Sequence, residues 1–401
     1  MKPRIDIGSL AGMLFMAAII VLACAAVWLH PTRGGDFLGI YDAAWAFDHG
    51  QDPYNVSAIS PDDNEPVKHF IYPSCTLYLF RPVAWLSFAM AARIFLILKF
   101  LAIGGLLYVW QQIFGLKEYR GLFYVLVPLA FSAALIADLR AGNISVFEQL
   151  VIWTGFYFYT RGKTVAFGII ILLAAIFKLT PILLLGLLAA KGKKKELACG
   201  AILGVVFIGV LAVNAILWPE FFAAFIKNAR SVVAEHGEVN PSTLALASDT
   251  AHWLQAKIHL ALPSIIPLAI YGLLAAMALV ISAAMFWRLV PMESRQGDLW
   301  RICLLCFAYA VIIPRFKDYS YVLLIAPAFY LVSSCKWMNP LLPFSGLLVI
   351  LSYGNVRYLG VALAPFYHVQ RTYYCLLLAW MLWGLCCYSI WRETRQTSHE
   401  L

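Results

Sequence analysis

Gly34-Gly35-Asp36-Phe37-Leu38-Gly39-Ile40-Tyr41-Asp42-Ala43-Ala44-Trp45-Ala46-Phe47-Asp48-His49-Gly50-Gln51-Asp52-Pro53-Tyr54 opens the first long polar interruption in an otherwise apolar chain. Four aspartates fall within 17 residues of it, and Phe37, Tyr41, Ala44, Trp45 and Phe47 recur at helical spacing. That spacing predicts a short helix lying on a membrane surface, with Asp36 at its start beside the lipid headgroups. The interruption continues through an acidic turn to Phe70-Ile71-Tyr72-Pro73 and ends near Pro82. Residues 72–82 are apolar but too short to cross a bilayer, and Pro73 and Pro82 bracket them, so they are expected to form a second juxtamembrane helix.

The rest of the chain says what surrounds this stretch. Of 401 residues, 62% are apolar and only 13% charged, with a mean hydropathy of +0.79, which places the chain among multi-span membrane proteins. A spanning helix needs about 20 mostly apolar residues. Runs of that kind lie near 8–29, 87–114, 121–138, 145–160, 164–190, 196–217, 263–290, 299–313, 319–335, 341–353 and 372–391. Together they predict an all-α polytopic protein with about 10 to 12 spans, the count turning on whether 164–190 breaks at Lys178-Leu179-Thr180-Pro181. The first run, with Lys2 and Arg4 before it and Val21-Leu22-Ala23-Cys24 inside it, imitates a cleaved leader; its length and the many spans after it favour a span.

Short basic turns set the orientation. With the N-terminus cytoplasmic and 164–190 crossing twice, Lys117 and Arg120, Arg161 and Lys163, 191–195, Arg288 and Arg295, Lys336, and Arg392 and Arg395 all fall inside. The 30–86 loop, the Asn143 turn, the long 218–262 loop, the Arg315 loop and the 354–371 loop then share the opposite face, and residues 392–401 form a cytoplasmic tail of a single 1–401 domain. This bias accounts for the net charge of +9, so nucleic acid is not an expected partner. The nine cysteines show no metal framework, and Cys303-x-x-Cys306 lies in an apolar helix, where packing explains it.

Several polar residues interrupt this pattern. Arg93 is placed to snorkel, whereas Lys99 lies deeper and reads either as an interhelical partner or as a lipid-phosphate contact. Asp138-Leu139-Arg140-Ala141-Gly142-Asn143 is a tight hairpin that either caps the next helix or carries Asp138, Arg140 and Asn143 toward Asp36. Lys178, next to Pro181, is costly in an apolar stretch unless it faces a polar cavity. Asn240-Pro241-Ser242 is a turn in the second long outer loop. Arg315 and Lys317, in Pro314-Arg315-Phe316-Lys317-Asp318-Tyr319, read either as a solvated loop or as an anion clamp.

An outer carboxylate, boundary cations and an aromatic loop suit sugar transfer from a lipid-linked phosphate. The acid takes the acceptor proton and the cations stabilise the departing phosphate, while Tyr41, Trp45, Tyr54 and Tyr72 offer faces for sugar rings. Composition alone leaves a lipid or solute transporter open, as well as a non-catalytic assembly partner.

The order of motifs resembles the polyprenyl-phosphate-mannose-dependent mannosyltransferases of glycosyltransferase family 87, which have the C-type glycosyltransferase fold with short extracytoplasmic juxtamembrane helices. The resemblance rests on Gly35-Asp36-Phe37, Tyr41, Ala43-Ala44, Gly50, Asp52-Pro53-Tyr54, Tyr72-Pro73, Gly142-Asn143-Ile144, Lys178-x-x-Pro181, Asn240-Pro241-Ser242 and Pro314-Arg315, along the chain to about residue 330. It implies a catalytic base at Asp36 and an inverting transfer of a hexose, mannose first, from a polyprenyl-phosphate carrier to a glycolipid or glycan at the outer face of a bacterial cytoplasmic membrane. Lys178, Arg315, Arg140 and Lys317 are the expected phosphate group, and Tyr41, Asp52, Tyr54, Tyr72, Asn143 and Asn240 the expected lining. Asn143 stands where the family usually has Gln, and Lys317-Asp318-Tyr319 lacks a histidine found in some members. The sugar is therefore open to glucose, arabinose or aminoarabinose. No metal ligand set is implied, and a divalent cation beside the acids is left open.

Overall fold

The computed structural model describes residues 7–29, 35–55, 70–115, 119–232, 235, 237, 239–258, 263, 265–334 and 364–399. The expected span at 341–353, the acidic turn after Asn55 and the side chains of His236 and Glu238 lie outside them. Among the described residues the fold is entirely helical: α1 (Ile7–Leu29), α2 (Asp36–Asp48), α3 (Leu77–Phe80), α4 (Phe88–Phe114), α5 (Arg120–Ala141), α6 (Ser145–Thr160), α7 (Thr164–Phe177), α8 (Gly186–Ala189), α9 (Lys194–Leu217), α10 (Pro219–Ser231), α11 (Thr243–Ile258), α12 (Ile265–Leu289), α13 (Arg295–Ile312), α14 (Ile325–Ser334) and α15 (Ala364–His399). 3₁₀ turns at Ser74–Thr76 and Arg81–Trp85 flank α3, Thr180–Leu185 leads into α8, and Asp318–Leu324 leads into α14.

Six of these helices, α1, α4, α5, α9, α12 and α15, are long and apolar enough to cross a membrane. The remaining apolar segments are shorter or broken: α7 stops at Phe177, and the chain resumes beyond an extended Lys178 in the 3₁₀ turn that holds Pro181. Pro181 has no N–H to continue the α-helical ladder. α5 breaks as well, at Ala130–Ala133 shortly after Pro128, where Phe131, Ser132 and Ala133 adopt φ of 51°, 57° and 59°. Left-handed backbone at residues with a Cβ costs about 1–2 kcal/mol each, and stacking of Phe131 on Tyr321, centroids 5.7 Å apart, helps to hold it. Residues 392–399 are helical, continuing α15, and Glu393 accepts a 2.8 Å bond from Trp300 Nε1.

Two cores organise the bundle. The large one joins α1, α4 to α9, α12 to α15 and their connections. The smaller one is aromatic and sits at the end where α2, α3 and α10 gather, built from Ile40, Ala43, Ala44, Tyr54, Phe70, Tyr72, Leu77, Phe80, Ile144 and Phe225. Asn228 of α10 ties it together by donating to the Tyr54 and Phe70 carbonyls, each at 3.2 Å. α2 is thus less a surface helix than the sequence suggests. Ile40, Ala43, Ala44 and Ala46 are at most 1% exposed, because small side chains let the 77–85 segment close over the helix.

Lys99 takes the structural alternative. Its Nζ lies 2.6 Å from Asp138 Oδ2 and donates to the Asp138 carbonyl at 2.6 Å, so a completely buried ion pair joins α4 to α5.

Candidate active site

The ends of α5, α7 and α13 and the starts of α2 and α6 meet beside the aromatic core. α2 begins at Asp36, so its dipole favours a carboxylate there. α5 ends at Gly142, whose φ of +64° reverses the chain. The hairpin and α2 can touch because both contact residues lack side chains: a Cβ on Gly142 would sit 2.9 Å from Phe37 Cβ, and one on Gly35 would sit 2.8 Å from the Ala141 carbonyl. This approach carries Asn143 to Asp36.

Asp36 Oδ2 accepts from Asn143 Nδ2 at 2.7 Å and from the Tyr319 hydroxyl at 3.0 Å. Both donors are buried, so the position of this carboxylate oxygen is fixed from two sides. Asn143 Oδ1 accepts from the Ser145 amide and hydroxyl, at 3.0 and 2.8 Å. Ser145 Oγ in turn takes a 2.9 Å bond from Lys178 Nζ, which also lies 2.6 Å from Glu148 Oε2. A continuous polar chain therefore runs from Asp36 to Lys178. Asn143 therefore reaches Asp36 and also holds the first amide of α6.

Next to this chain is a cavity of about 220 Å³, lined among others by Tyr72, Glu148, Gln149, Lys178, Thr180, Tyr309, Arg315, Phe316, Lys317 and Tyr319. Three of the four expected phosphate ligands reach it. Tyr319 lies between two of them, its ring centroid 6.0 Å from Lys178 Nζ and 5.9 Å from Lys317 Nζ. Arg315 is held by Glu235 from Nε and Nη2, each at 3.2 Å, and Lys317 Nζ is 3.4 Å from the same carboxylate. Glu235 thus occupies the position of a planar oxyanion in a cationic fork. Burial, and then repulsion from Arg315, lower the pKa of Lys317 against the opposing pull of Asp36 and Glu235. Burial, followed by the charges of Asp36 and Glu148, raises the Tyr72 hydroxyl well above its usual range, which keeps it neutral.

The loop carrying these cations is pinned by the Asn-Pro-Ser turn. Asn240 accepts from the Phe316 amide at 2.8 Å, Ser242 Oγ donates to the Pro314 carbonyl at 2.6 Å, and Tyr321 donates to the Pro241 carbonyl at 2.7 Å. Asn240, fully buried, positions Arg315 and does not line the cavity.

Tyr41, Tyr54 and Asp52, also expected as lining, are not among the residues around this cavity and make other contacts. Tyr41 donates to the Leu86 carbonyl at 2.8 Å and packs edge-on against Phe88. Tyr54 is buried and donates to the Tyr72 carbonyl at 2.7 Å. Asp52 accepts from the Tyr54 amide at 2.9 Å in a local turn. Arg140 is exposed and lines a different cleft, with Trp28, Gly35, Phe37, Arg93 and Lys99, because Gly142 turns the residues on either side of it toward opposite sides. Asp138, committed to Lys99, does not reach Asp36 either.

Tyr319, Glu148, Gln149, Tyr309 and Glu235 are site residues that the sequence did not single out as such. Only Glu148 and Gln149 carried a signal, two adjacent polar residues near the start of an apolar helix. Among the described residues no group of three or more His, Cys, Asp or Glu is placed to hold a metal ion.

Comparison with known proteins finds a match to the model of glycosyltransferase family 87 over residues 70–314, more than half of the chain. No curated protein and no solved structure matches.

Proposed function

Because the chain belongs to glycosyltransferase family 87, we propose that it moves a hexose, mannose first, from a polyprenyl-phosphate carrier to a glycolipid or glycan acceptor. The observation that carries this reading is the polar chain joining Asp36 to Lys178 at a cavity that also holds Arg315 and Lys317. Asp36 does not itself line that cavity but bonds to Tyr319, which does, and this adjacency supports pairing a base with the cations.

In this mechanism the acceptor hydroxyl attacks the anomeric carbon as Asp36 removes its proton, and the bond from that carbon to the phosphate oxygen breaks. Configuration inverts, and the electron pair leaves with the polyprenyl phosphate. Arg315, Lys317 and Lys178 stabilise the dianion that forms, an interaction stronger in the transition state than in the substrate. Tyr319 and Asn143 hold the carboxylate in place, an arrangement that favours a near-attack geometry. The basic turns of the sequence support an orientation with this end of the bundle at the outer face of a bacterial cytoplasmic membrane.

A transporter would draw on the Lys99–Asp138 pair and on the break at Lys178. Each lysine is paired within the protein, Lys99 with Asp138 and Lys178 with Glu148, and Asp138 lies one turn from the end of α5. The test is reconstitution of the purified protein with polyprenyl-phosphate-mannose and a membrane glycolipid extract. A glycosidic product of inverted configuration is expected; vectorial movement of lipid or sugar with no such product would select the transporter.

A further inference from the structure

The cavity holds a polar side chain that this mechanism does not use. Gln149 is 3% exposed and lines the cavity with Glu148, Ile152, Thr180 and Tyr309. Its amide oxygen is buried with no hydrogen-bond partner among the described residues. The neighbours are committed elsewhere: Glu148 to Lys178 at 2.6 Å, and the Tyr309 hydroxyl to Thr180 Oγ1 at 2.7 Å. A leucine of similar size would avoid the cost of an unpaired buried amide, and such groups in native proteins call for an explanation.

The two kinds of polar group at this cavity have different chemistry. Arg315, Lys317 and Lys178 are donors only and suit phosphate oxygens, which accept. A carboxamide both donates and accepts, as a sugar hydroxyl does. The apolar surfaces of Tyr309 and Phe316, edge to face at 6.0 Å, complete a wall suited to the C–H face of a ring.

We propose that Gln149 is a sugar-recognition residue, its carboxamide hydrogen-bonding one ring hydroxyl of the carrier-linked sugar while the cations hold the phosphate. The assignment rests on the donor reading above and deepens it. A site built to bond a hydroxyl discriminates strongly against a donor that lacks it, because the buried amide is then left unpaired.

The experiment measures binding of undecaprenyl phosphate, undecaprenyl-phosphate-mannose and undecaprenyl-phosphate-glucose to the full-length protein in nanodiscs, for wild type and Gln149→Leu. Wild type is expected to bind one sugar-bearing lipid more tightly than the bare carrier, and Gln149→Leu to lose about tenfold toward that lipid only. Monodeoxy analogues provide an internal control: one of them loses the same factor on wild type and nothing more on Gln149→Leu. Equal affinity of variant and wild type for the sugar-bearing lipid, or an equal loss toward the bare carrier, overturns the assignment. Should Gln149→Leu fail to fold, indifference of wild type to every monodeoxy donor overturns it. Wild type binding carriers with and without sugar equally would end the sugar subsite and leave the donor class standing, whereas no binding of any carrier would end both.

Discussion

Gly142→Ala tests how the fold builds the site, because it adds one methyl group at the contact between α2 and the hairpin. The new Cβ would lie 2.9 Å from Phe37 Cβ, so the two segments must part by roughly 0.6 Å to restore an ordinary carbon–carbon separation of about 3.5 Å. Phe37 adjoins Asp36 and Gly142 adjoins Asn143, and the bond between those two polar groups is 2.7 Å. The separation takes it to about 3.3 Å, just past the usual hydrogen-bonding range, which ends near 3.2 Å. Losing a hydrogen bond to a charged group costs about 1.5–3 kcal/mol, or about 10- to 100-fold in rate if the bond is needed in the transition state. The φ of +64° at this position adds about 1–2 kcal/mol of strain for a residue with a Cβ. Steady-state sugar transfer by protein of wild-type helical content is the assay, with kcat expected to fall and donor KM to change little. A kcat within twofold of wild type would refute the claim that this contact positions the carboxylate.

Lys99→Met leaves Asp138 buried without its counter-ion and is expected to destabilise the protein by about 3–5 kcal/mol, read by denaturation in detergent, with Lys99→Met/Asp138→Leu recovering most of the loss. Glu235→Gln frees Arg315 and Lys317 from their internal anion, so the donor KM is expected to fall about three- to tenfold; an unchanged KM would separate Glu235 from donor binding. Lys317 has a lowered pKa, so raising the pH through that value removes a positive charge from the cavity and weakens phosphate binding. The donor KM should therefore rise at a pH below the usual lysine value of about 10.4, and Lys317→Arg should abolish that limb in a pH series.

Much of the fold is legible in the sequence because the bilayer imposes long apolar runs, and the structure places helical elements on nearly all the expected segments it describes. The break at Lys178 is legible too, since proline next to a charge in an apolar stretch has few explanations. Asp36, Lys178, Arg315 and Lys317 stand out because charge is scarce in this chain. The errors come from direction rather than position. Arg140 and Asn143 are three residues apart, but across the left-handed turn at Gly142 Arg140 lines a separate cleft while Asn143 turns to Asp36. Tyr41 and Tyr54 look like interfacial aromatics, yet their hydroxyls are used on the backbone of neighbouring segments. Tyr319 and Glu235 escape notice because their partners are 283 and 80 residues away in the chain, separations over which no local pattern acts.

Single-turnover transfer from polyprenyl-phosphate-mannose by Asp36→Asn, with donor affinity measured on the same sample, puts the greatest weight on one atom. The account predicts donor binding within about threefold of wild type and transfer slowed by about 10²- to 10⁴-fold, the usual contribution of a general base. Transfer at the wild-type rate would contradict it.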